Sequence, residues 1–305
     1  MILPDSLHPP GIFRLVCRPA LPKDTPDVLE LTRRIWDGHD YVPLVWRDWL
    51  KDPEGLLAVA EYGGRVVGLC KLTRLAPSEW WLEGMRVHPD YEGRGIASRL
   101  HDYLMAHWER IGGGAIRLGT ASSRTPVHHI TQRSGFRKIV EFSYYAAESV
   151  PGPPAPATPL KPGDEQAALE FAWRNPTSTF PHGLINVGWQ WVTLSEHWIA
   201  KAIASGHAWW WGDEANPQAL ILARKDVEEG ENELMIQLLV CSPDFSATSL
   251  GDCRLLAGSL GYSKATWFVP SHAALEPVLE AAGYRNEWED TLFIYEKVAS
   301  ETGNA

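Results

Sequence analysis

The run Val150-Pro151-Gly152-Pro153-Pro154-Ala155-Pro156-Ala157-Thr158-Pro159 lies at the middle of a chain of 305 residues. Proline removes backbone donors and pushes the preceding residue into an extended conformation, so this segment enters neither a helix nor an internal strand. A chain this long is large for one core and sufficient for two. Two domains are therefore expected, residues 1–149 and 163–305, joined by a semi-rigid linker over 150–162.

The first half alternates strand and helix signals. Phe13 to Arg18 reads as a strand, and Asp24 or Thr25 caps a helix with Pro26 in its first turn that runs to about Trp36. Leu56–Tyr62 and Arg65–Arg74 read as strands joined by Gly63-Gly64, a two-residue hairpin signal. Trp80–Val87 reads as a further strand. Ile96, Leu100, Leu104 and Trp108 recur every four residues, which marks the apolar face of a helix that ends before Gly112-Gly113-Gly114. Ala115–Thr120 is a strand and Pro126–Ser134 a short helix. Phe136–Val140 and Phe142–Ala147 close the half as two strands.

The second half repeats this order more weakly. Helices are expected at 165–173, 196–204, 255–260 and 272–282, and strands at 208–211, 219–224, 234–241, 264–269 and 291–297. Val87-His88-Pro89-Asp90-Tyr91 is echoed by Cys241-Ser242-Pro243-Asp244-Phe245, and Ser134-Gly135-Phe136 by Ala282-Gly283-Tyr284. Echoes at similar spacing indicate two copies of one α/β unit.

The segment that carries chemistry is Val87-His88-Pro89-Asp90-Tyr91-Glu92-Gly93-Arg94-Gly95-Ile96-Ala97-Ser98. A strand ends, a tight turn follows, and a Gly-x-Gly pair opens an amphipathic helix. Glycines let successive N–H groups face one cavity, and the helix start adds free N–H groups and a positive dipole end. Together they suit a phosphate or pyrophosphate. A Rossmann reading fails, since that motif needs a further glycine two residues on and an acidic residue after the next strand.

These residues resemble the acetyl-CoA signature of the GNAT superfamily, Gln/Arg-x-x-Gly-x-Gly/Ala, with Gly95 and Ala97 in the last two positions and Glu92 where Gln or Arg is usual. The resemblance implies a fold of two tandem GNAT-like α/β domains, each a mixed, mostly antiparallel sheet flanked by helices. It implies acetyl-CoA as cosubstrate, with the pantetheine arm against Met85, Arg86 and Val87 and the pyrophosphate against Glu92, Gly93, Arg94, Gly95, Ile96, Ala97 and Ser98. Ser123 or Arg124 stands where an Asn usually meets the pantetheine. Thr131 aligns with the Tyr that protonates the leaving thiolate in many members, and it is a poor acid. His128, His129 and Tyr144 are nearby in sequence.

An alkyl amine is mostly protonated at neutral pH, so direct attack on a thioester needs a base. Glu83 is the candidate. It sits in an apolar strand, where a carboxylate is costly unless paired or functional. Alternation places Glu83, Met85 and Val87 on one face. A salt bridge to Arg86 or Arg74 is the alternative. The stretch from Ile35 to Leu50 resembles that of histidine N-acetyltransferase-like members of the family, which implies a small amine, such as a free amino acid, as acceptor. Asp37 and Asp40 are candidates to hold its ammonium, and Tyr41 and Trp46 to wall the pocket. Equally, Asp37 caps a turn and the aromatics pack. Protein lysine and aminoglycosides are alternative acceptors, and an acyl-CoA-binding sensor is the alternative without turnover.

The loop Asp244–Gly251 lacks the Gly-x-Gly/Ala pair, so the second copy is expected to be degenerate. A net charge of -10 argues against nucleic acid. No metal site is expected, since the four cysteines form no C-x-x-C pair and read as inert buried thiols. The first residues carry no basic region followed by an apolar stretch, and no apolar run reaches the roughly 20 residues of a membrane span. A cytoplasmic monomer or homodimer is expected.

Overall fold

The computed structural model describes residues 14–152, 155–175, 179–213, 216–226, 232–241, 247–271 and 274–299. Packing divides the chain into two compact units, Met1–Ile116 with Val298–Ala305, and Arg117–Lys297.

The first unit contains β1 (Val16–Pro19), α1 (Thr25–Thr32), α2 (Val42–Lys51), β2 (Leu56–Tyr62), β3 (Arg65–Ala76), β4 (Glu79–Val87), α3 (Ile96–Arg110) and the start of β5 (Ala115–Ala121). Strands β1 to β4 pair antiparallel in chain order. Gly63 and Gly64 both adopt positive φ, 60° and 80°, as the expected two-residue hairpin requires. Val28, Leu31, Val42 and Trp46 of α1 and α2 pack onto Leu57, Val59, Val66 and Leu69 of the sheet. Each such buried aliphatic side chain contributes about 1.5–3 kcal/mol relative to exposure. The apolar face of α3 is buried at Ile96, Leu100, Leu104 and Trp108, as its period predicts. Helix α2 has Pro43 in its first turn and Asp40 accepting the Val42 N–H at 3.1 Å, yet it was not expected from the sequence.

The second unit continues through the rest of β5, α4 (Thr125–Arg133), β6 (Arg137–Glu148), β7 (Ala157–Pro159), α5 (Glu165–Arg174), β8 (Leu184–Asn186), β9 (Trp191–Thr193), α6 (Glu196–Ala204), β10 (Ala208–Asp213), β11 (Asn216–Asp226), β12 (Glu233–Cys241), α7 (Ala247–Ser259), β13 (Lys264–Pro270), α8 (Glu276–Ala281), β14 (Arg285–Asn286) and β15 (Leu292–Val298). Its strand order is β5-β15-β6-β13-β12-β11-β10-β7, with β14 pairing β6 off this path. The β12–β13 pair is parallel, and β8–β9 form a separate hairpin. The sheet is thus mixed and mostly antiparallel, flanked by helices.

Within this unit the two halves of the sequence exchange strands. Strand β6, which follows α4, pairs with β13 of the second half through Tyr145↔Trp267 and Ala147↔Ala265. Strand β15, which follows α8, lies between β5 and β6, with Leu292 opposite Phe142 and Ile294 opposite Val140. The packing boundary therefore falls within β5, whereas the sequence points to residue 149. Composition marks where proline excludes a helix, but ladder hydrogen bonds decide which strands move together. The strand signals at 136–140 and 142–147 belong to the single strand β6.

Residues 157–159 of the expected linker form β7, at the sheet edge, where the missing N–H of Pro159 is tolerated. Trp209, Trp210 and Trp211 are buried in β10, one strand in from that edge. Pro153, Pro154 and residues 242–246, with most of the second turn echo and the first three residues of the loop Asp244–Gly251, lie outside the described residues, and the rest of that loop opens α7. Cys70, Cys241 and Cys253 are buried free thiols and Cys17 is half-buried. No helix among the described residues is long and apolar enough to cross a membrane.

Candidate active site

The Gly-x-Gly loop forms an open cradle. A 3-10 turn, Pro89–Tyr91, follows β4 and is closed by Tyr91 N–H to His88 O at 2.8 Å. Gly93 and Gly95 then take φ of 72° and 74°, a region that favours glycine. No protein atom lies within 4 Å of where a Cβ on either would sit. Gly95 starts α3 without a side-chain cap. Among the described residues, the N–H groups of Gly93, Arg94, Gly95, Ile96, Ala97 and Ser98 have no hydrogen-bond partner, and Arg99 is the first to bond back, to Gly95 O at 3.1 Å. Six free donors around two left-handed glycines make a nest for an anion. Glu92 is not among the donors, because its N–H is used by Pro89 O at 3.2 Å. The Arg94 side chain folds back onto its own loop, to Asp90 O at 3.2 Å and over the Tyr91 ring. Its backbone faces the cradle while its guanidinium braces the turn.

Strand β4 carries a bulge that overturns simple alternation. Glu83 lies opposite Lys71 and Arg86 opposite Leu69, so β4 spends one more residue than β3 over this stretch. Lys71 and Leu69 share a face of β3, and Glu83 therefore shares its face with Arg86. The expected Glu83, Met85, Val87 row is broken. Gly84, at φ 64°, takes up the extra residue. A Cβ there would come within 2.5 Å of the Trp49 ring. Glu83 Oε1 accepts the Thr73 hydroxyl, and Glu83 O accepts the Cys70 thiol at 3.3 Å. Beside Glu83, burial pushes the Cys70 thiol up to about 12, and the Glu83 charge adds to the rise.

The expected acceptor residues separate. Asp40 is buried, and both its oxygens are taken by Arg86. It therefore holds a protein cation in the place expected for a substrate ammonium. The remaining reach of Arg86 goes to Met85 O at 3.1 Å, while its guanidinium stacks on Trp36 at 4.3 Å and Tyr41 at 5.3 Å. Arg86, expected beside the arm or as a salt-bridge partner of Glu83, organises this face through its bond to Asp40. Trp46 is a core residue, 1% exposed, with Nε1 donating to Thr25 Oγ1, and it does not wall a pocket. Tyr41 remains at the surface of this face, edge-on to Trp49 at 6.0 Å. Burial, then the nearby Glu83 carboxylate, pushes the Tyr41 hydroxyl up to about 12. Asp37 lies in a 3-10 turn in which Trp36, Asp37 and Gly38 all have positive φ. Such strain in non-glycine residues persists where packing holds it, commonly beside functional sites. Trp36 and Trp49 fall in the stretch expected to shape the acceptor pocket, but no role was assigned to them; Thr73 was not singled out, because its contact needs the strand register.

In the second unit, Ser123 and Arg124 follow β5. The Ser123 hydroxyl donates to Asp290 Oδ2 at 2.7 Å, and Arg124 is exposed. Thr131 is fully buried, and its hydroxyl donates to His128 O at 2.9 Å in the preceding turn. That proton is committed, so the structure removes Thr131 as an acid. His128 Nε2 donates to Ser122 O at 3.0 Å, which leaves Nδ1 to accept from the Tyr295 hydroxyl at 3.0 Å. The Tyr144 hydroxyl donates to Glu233.

In the second half, the chain itself fills the space where β12 and β13 part. The β12–β13 ladder stops at Ile236↔Trp267. Beyond it, the Thr179 hydroxyl donates to Leu239 O at 2.8 Å, and the Gln237 amide donates to Asn186 O. Trp191 packs against Phe268 at 5.2 Å.

Residues 25–136 match the model of the Acetyltransferase (GNAT) family. The chain is 27% identical over 164 residues to a histidine N-acetyltransferase of Xenopus tropicalis, covering 50% of this chain and 49% of that one. It is 32% identical over 97 residues to a mycothiol acetyltransferase of Propionibacterium freudenreichii subsp. shermanii, covering 30% of each. The chain thus spans about half the length of the curated relatives it matches, or less. Among solved structures, a GCN5-related N-acetyltransferase from Sphaerobacter thermophilus superposes with a TM-score of 0.64 at 16% identity, over 93% of this chain and 95% of that one. A tandem GNAT protein from the clavulanic acid biosynthesis pathway superposes at 0.58 with 13% identity, over 94% and 99%.

Proposed function

We propose that this protein is an N-acetyltransferase that binds acetyl-CoA and acetylates the amine of a small molecule, on the premise of the match of residues 25–136 to the Acetyltransferase (GNAT) family model. The observation that carries the reading is the cradle. Six free N–H groups from Gly93 to Ser98 converge around two positive-φ glycines at the positive end of α3. Acetyl-CoA, when bound, supplies an activated acyl group. The cradle N–H groups would hold its pyrophosphate, since charge-assisted bonds from a helix start favour a doubly charged anion. The backbone of Met85 to Val87 would flank the arm.

Glu83 would take the proton of the incoming ammonium. A carboxylate is ionised at neutral pH and attracts the cation before accepting its proton. The Thr73 hydroxyl fixes its orientation. Trp36, Tyr41 and Trp49 supply an apolar wall beside it that limits water. The names of the curated relatives favour a free amino acid or a similarly small amine as acceptor. With Asp40 engaged by Arg86, Asp37 is the remaining proposed acidic contact for that amine. The filled β12–β13 gap supports a second half that takes no cosubstrate of its own.

One observation favours a sensor without turnover: the Thr131 hydroxyl is committed to the backbone. Calorimetry with acetyl-CoA on the intact protein and on Gly95→Trp tests the common premise. Binding by the first and none by the second is expected, and equal affinity would overturn the assigned cradle. Thiol release on adding single amino acids or other small amines then separates an enzyme from a sensor.

A further inference from the structure

We propose that Arg86 recognises a carboxylate on the acceptor through the free end of its guanidinium, so that the enzyme selects an amino acid over the same amine without its carboxylate. The inference rests on the reading above, in which Glu83 meets the amine, and deepens it by naming the group that must stand beside that amine.

A guanidinium holds its N–H donors in one plane, one on Nε and a pair on each terminal nitrogen. Nε and Nη2 donate to the two Asp40 oxygens at 2.9 and 3.0 Å, and Nη1 donates to Met85 O at 3.1 Å. The second N–H of Nη1 and of Nη2 has no acceptor among the described residues. With Nε and Nη2 turned to Asp40, the spare Nη2–H points along the end of the plane, beside Nη1. Two donors so placed match the two oxygens of a carboxylate. The fork is also held in place. Asp40 is buried, and its Oδ1 accepts the Val42 N–H at 3.1 Å as well. The guanidinium stacks on Trp36 at 4.3 Å and on Tyr41 at 5.3 Å. The turn that presents Trp36 keeps positive φ at Trp36 and Asp37, 47° and 54°, a strain that the surrounding contacts must sustain.

Charge decides what kind of carboxylate suits this fork. Asp40 already neutralises Arg86, so a simple anion gains little and also meets the Glu83 charge. The bulge puts Glu83 on the same face of β4 as Arg86, two strand steps or roughly 7 Å along it. A short zwitterion answers both groups, its ammonium beside Glu83 and its carboxylate on the fork. Tyr41 lies within reach of both charges: burial raises its hydroxyl first, the Glu83 charge adds to the rise and the Arg86 charge opposes it. That hydroxyl has no hydrogen-bond partner among the described residues and stays protonated, so it can donate to the same carboxylate. Lys71, the cation opposite Glu83, donates instead to Asp52 and to Leu72 O.

The test is thiol release from acetyl-CoA by the unaltered full chain and by Arg86→Lys. The acceptors are the standard free L-amino acids, their carboxamides, and the amines left when the carboxyl group is removed. Loss of a charge-assisted, two-pronged bond predicts a kcat/KM about ten- to hundredfold lower for carboxamide and amine than for the parent acid. The difference should sit mainly in KM, because the bond forms on binding and persists through the reaction. Lysine keeps a charge opposite Asp40 but has no fork, so Arg86→Lys should treat acid and carboxamide alike. Its melting temperature and its acetyl-CoA affinity by calorimetry check that it is folded; if it is not, the acid and carboxamide rates of the unaltered chain decide. Equal kcat/KM for acid and carboxamide, or turnover confined to amines without a carboxylate, would overturn the proposal and leave the acetyl-CoA reading standing. So would no turnover of any of these acceptors by a chain that binds acetyl-CoA. An undiminished preference for the acid in folded Arg86→Lys would overturn it too. No acetyl-CoA binding by the unaltered chain would overturn the acetyl-CoA reading, and this inference with it.

Discussion

The Arg86 guanidinium closes on the Asp40 carboxylate through two parallel hydrogen bonds, Nε to Oδ2 at 2.9 Å and Nη2 to Oδ1 at 3.0 Å. The Asp40 side chain is fully buried and that of Arg86 is 10% exposed. The pair ties the strained turn at Trp36–Gly38 to the bulged strand that carries Glu83. Asp40→Ala is expected to destabilise the protein by about 3–5 kcal/mol, because it strands a buried cation. Denaturant unfolding measures this. A loss below about 1 kcal/mol would mean that Arg86 finds water or another acceptor.

Glu83→Gln keeps shape and hydrogen-bonding reach but removes the base. Turnover is expected to fall at least about 100-fold, the lower bound for a positioned general base. Acetyl-CoA affinity should stay within about twofold, since the cradle is built from α3 and its loop. Thiol-release kinetics and calorimetry read the two separately. An undiminished rate from pH 6 to 9 would remove Glu83 from the mechanism.

Residues 1–149 and 150–305, expressed apart, are each expected to lack a cooperative thermal transition. The first fragment loses β15 from between β5 and β6, and the second loses β6 from beside β13. Each fragment then exposes unpaired strand edges, which invite aggregation. Co-expression should restore a single melt. A cooperative melt of residues 1–149 alone would show that the exchanged strand is dispensable.

Acid unfolding should carry a contribution from Asp24. Burial raises this carboxyl, but the Arg18 bonds at 2.7 and 2.8 Å and the Leu21 N–H outweigh burial, so the group ends below its ordinary value. Stability from a depressed carboxyl is full above the unfolded value of roughly 4. It is lost as pH falls through the lower folded value. Melting curves from pH 7 to pH 2 should show Asp24→Asn less stable at neutral pH and less sensitive to acid. Parallel curves for the two proteins would rule out Asp24 as a source of the acid limb.

Most elements were legible because their signals are local. Gly63-Gly64 between alternating strands specifies a hairpin, and the four-residue spacing from Ile96 to Trp108 specifies a helix face. Helix α2 was missed because Asp40, which accepts the Val42 N–H, was read as a substrate contact, and because the aromatics of this stretch also suit a pocket. Of those aromatics, Trp46 went to the core and Tyr41 to the surface. A period of 3.6 does not reveal which side of a helix will be covered until its neighbours are known.

By itself, the sequence determined the cradle. Positive φ at Gly93 and Gly95 and the free N–H groups of a helix start follow from backbone chemistry within a few residues. Tertiary structure alone decided that Glu83 shares a face with Arg86, that Asp40 is occupied by that arginine, and that β15 completes the sheet beside β5. Each depends on a register or a pairing between distant segments. A one-residue slip in a ladder reverses every side chain, and no local pattern records which strand will lie alongside.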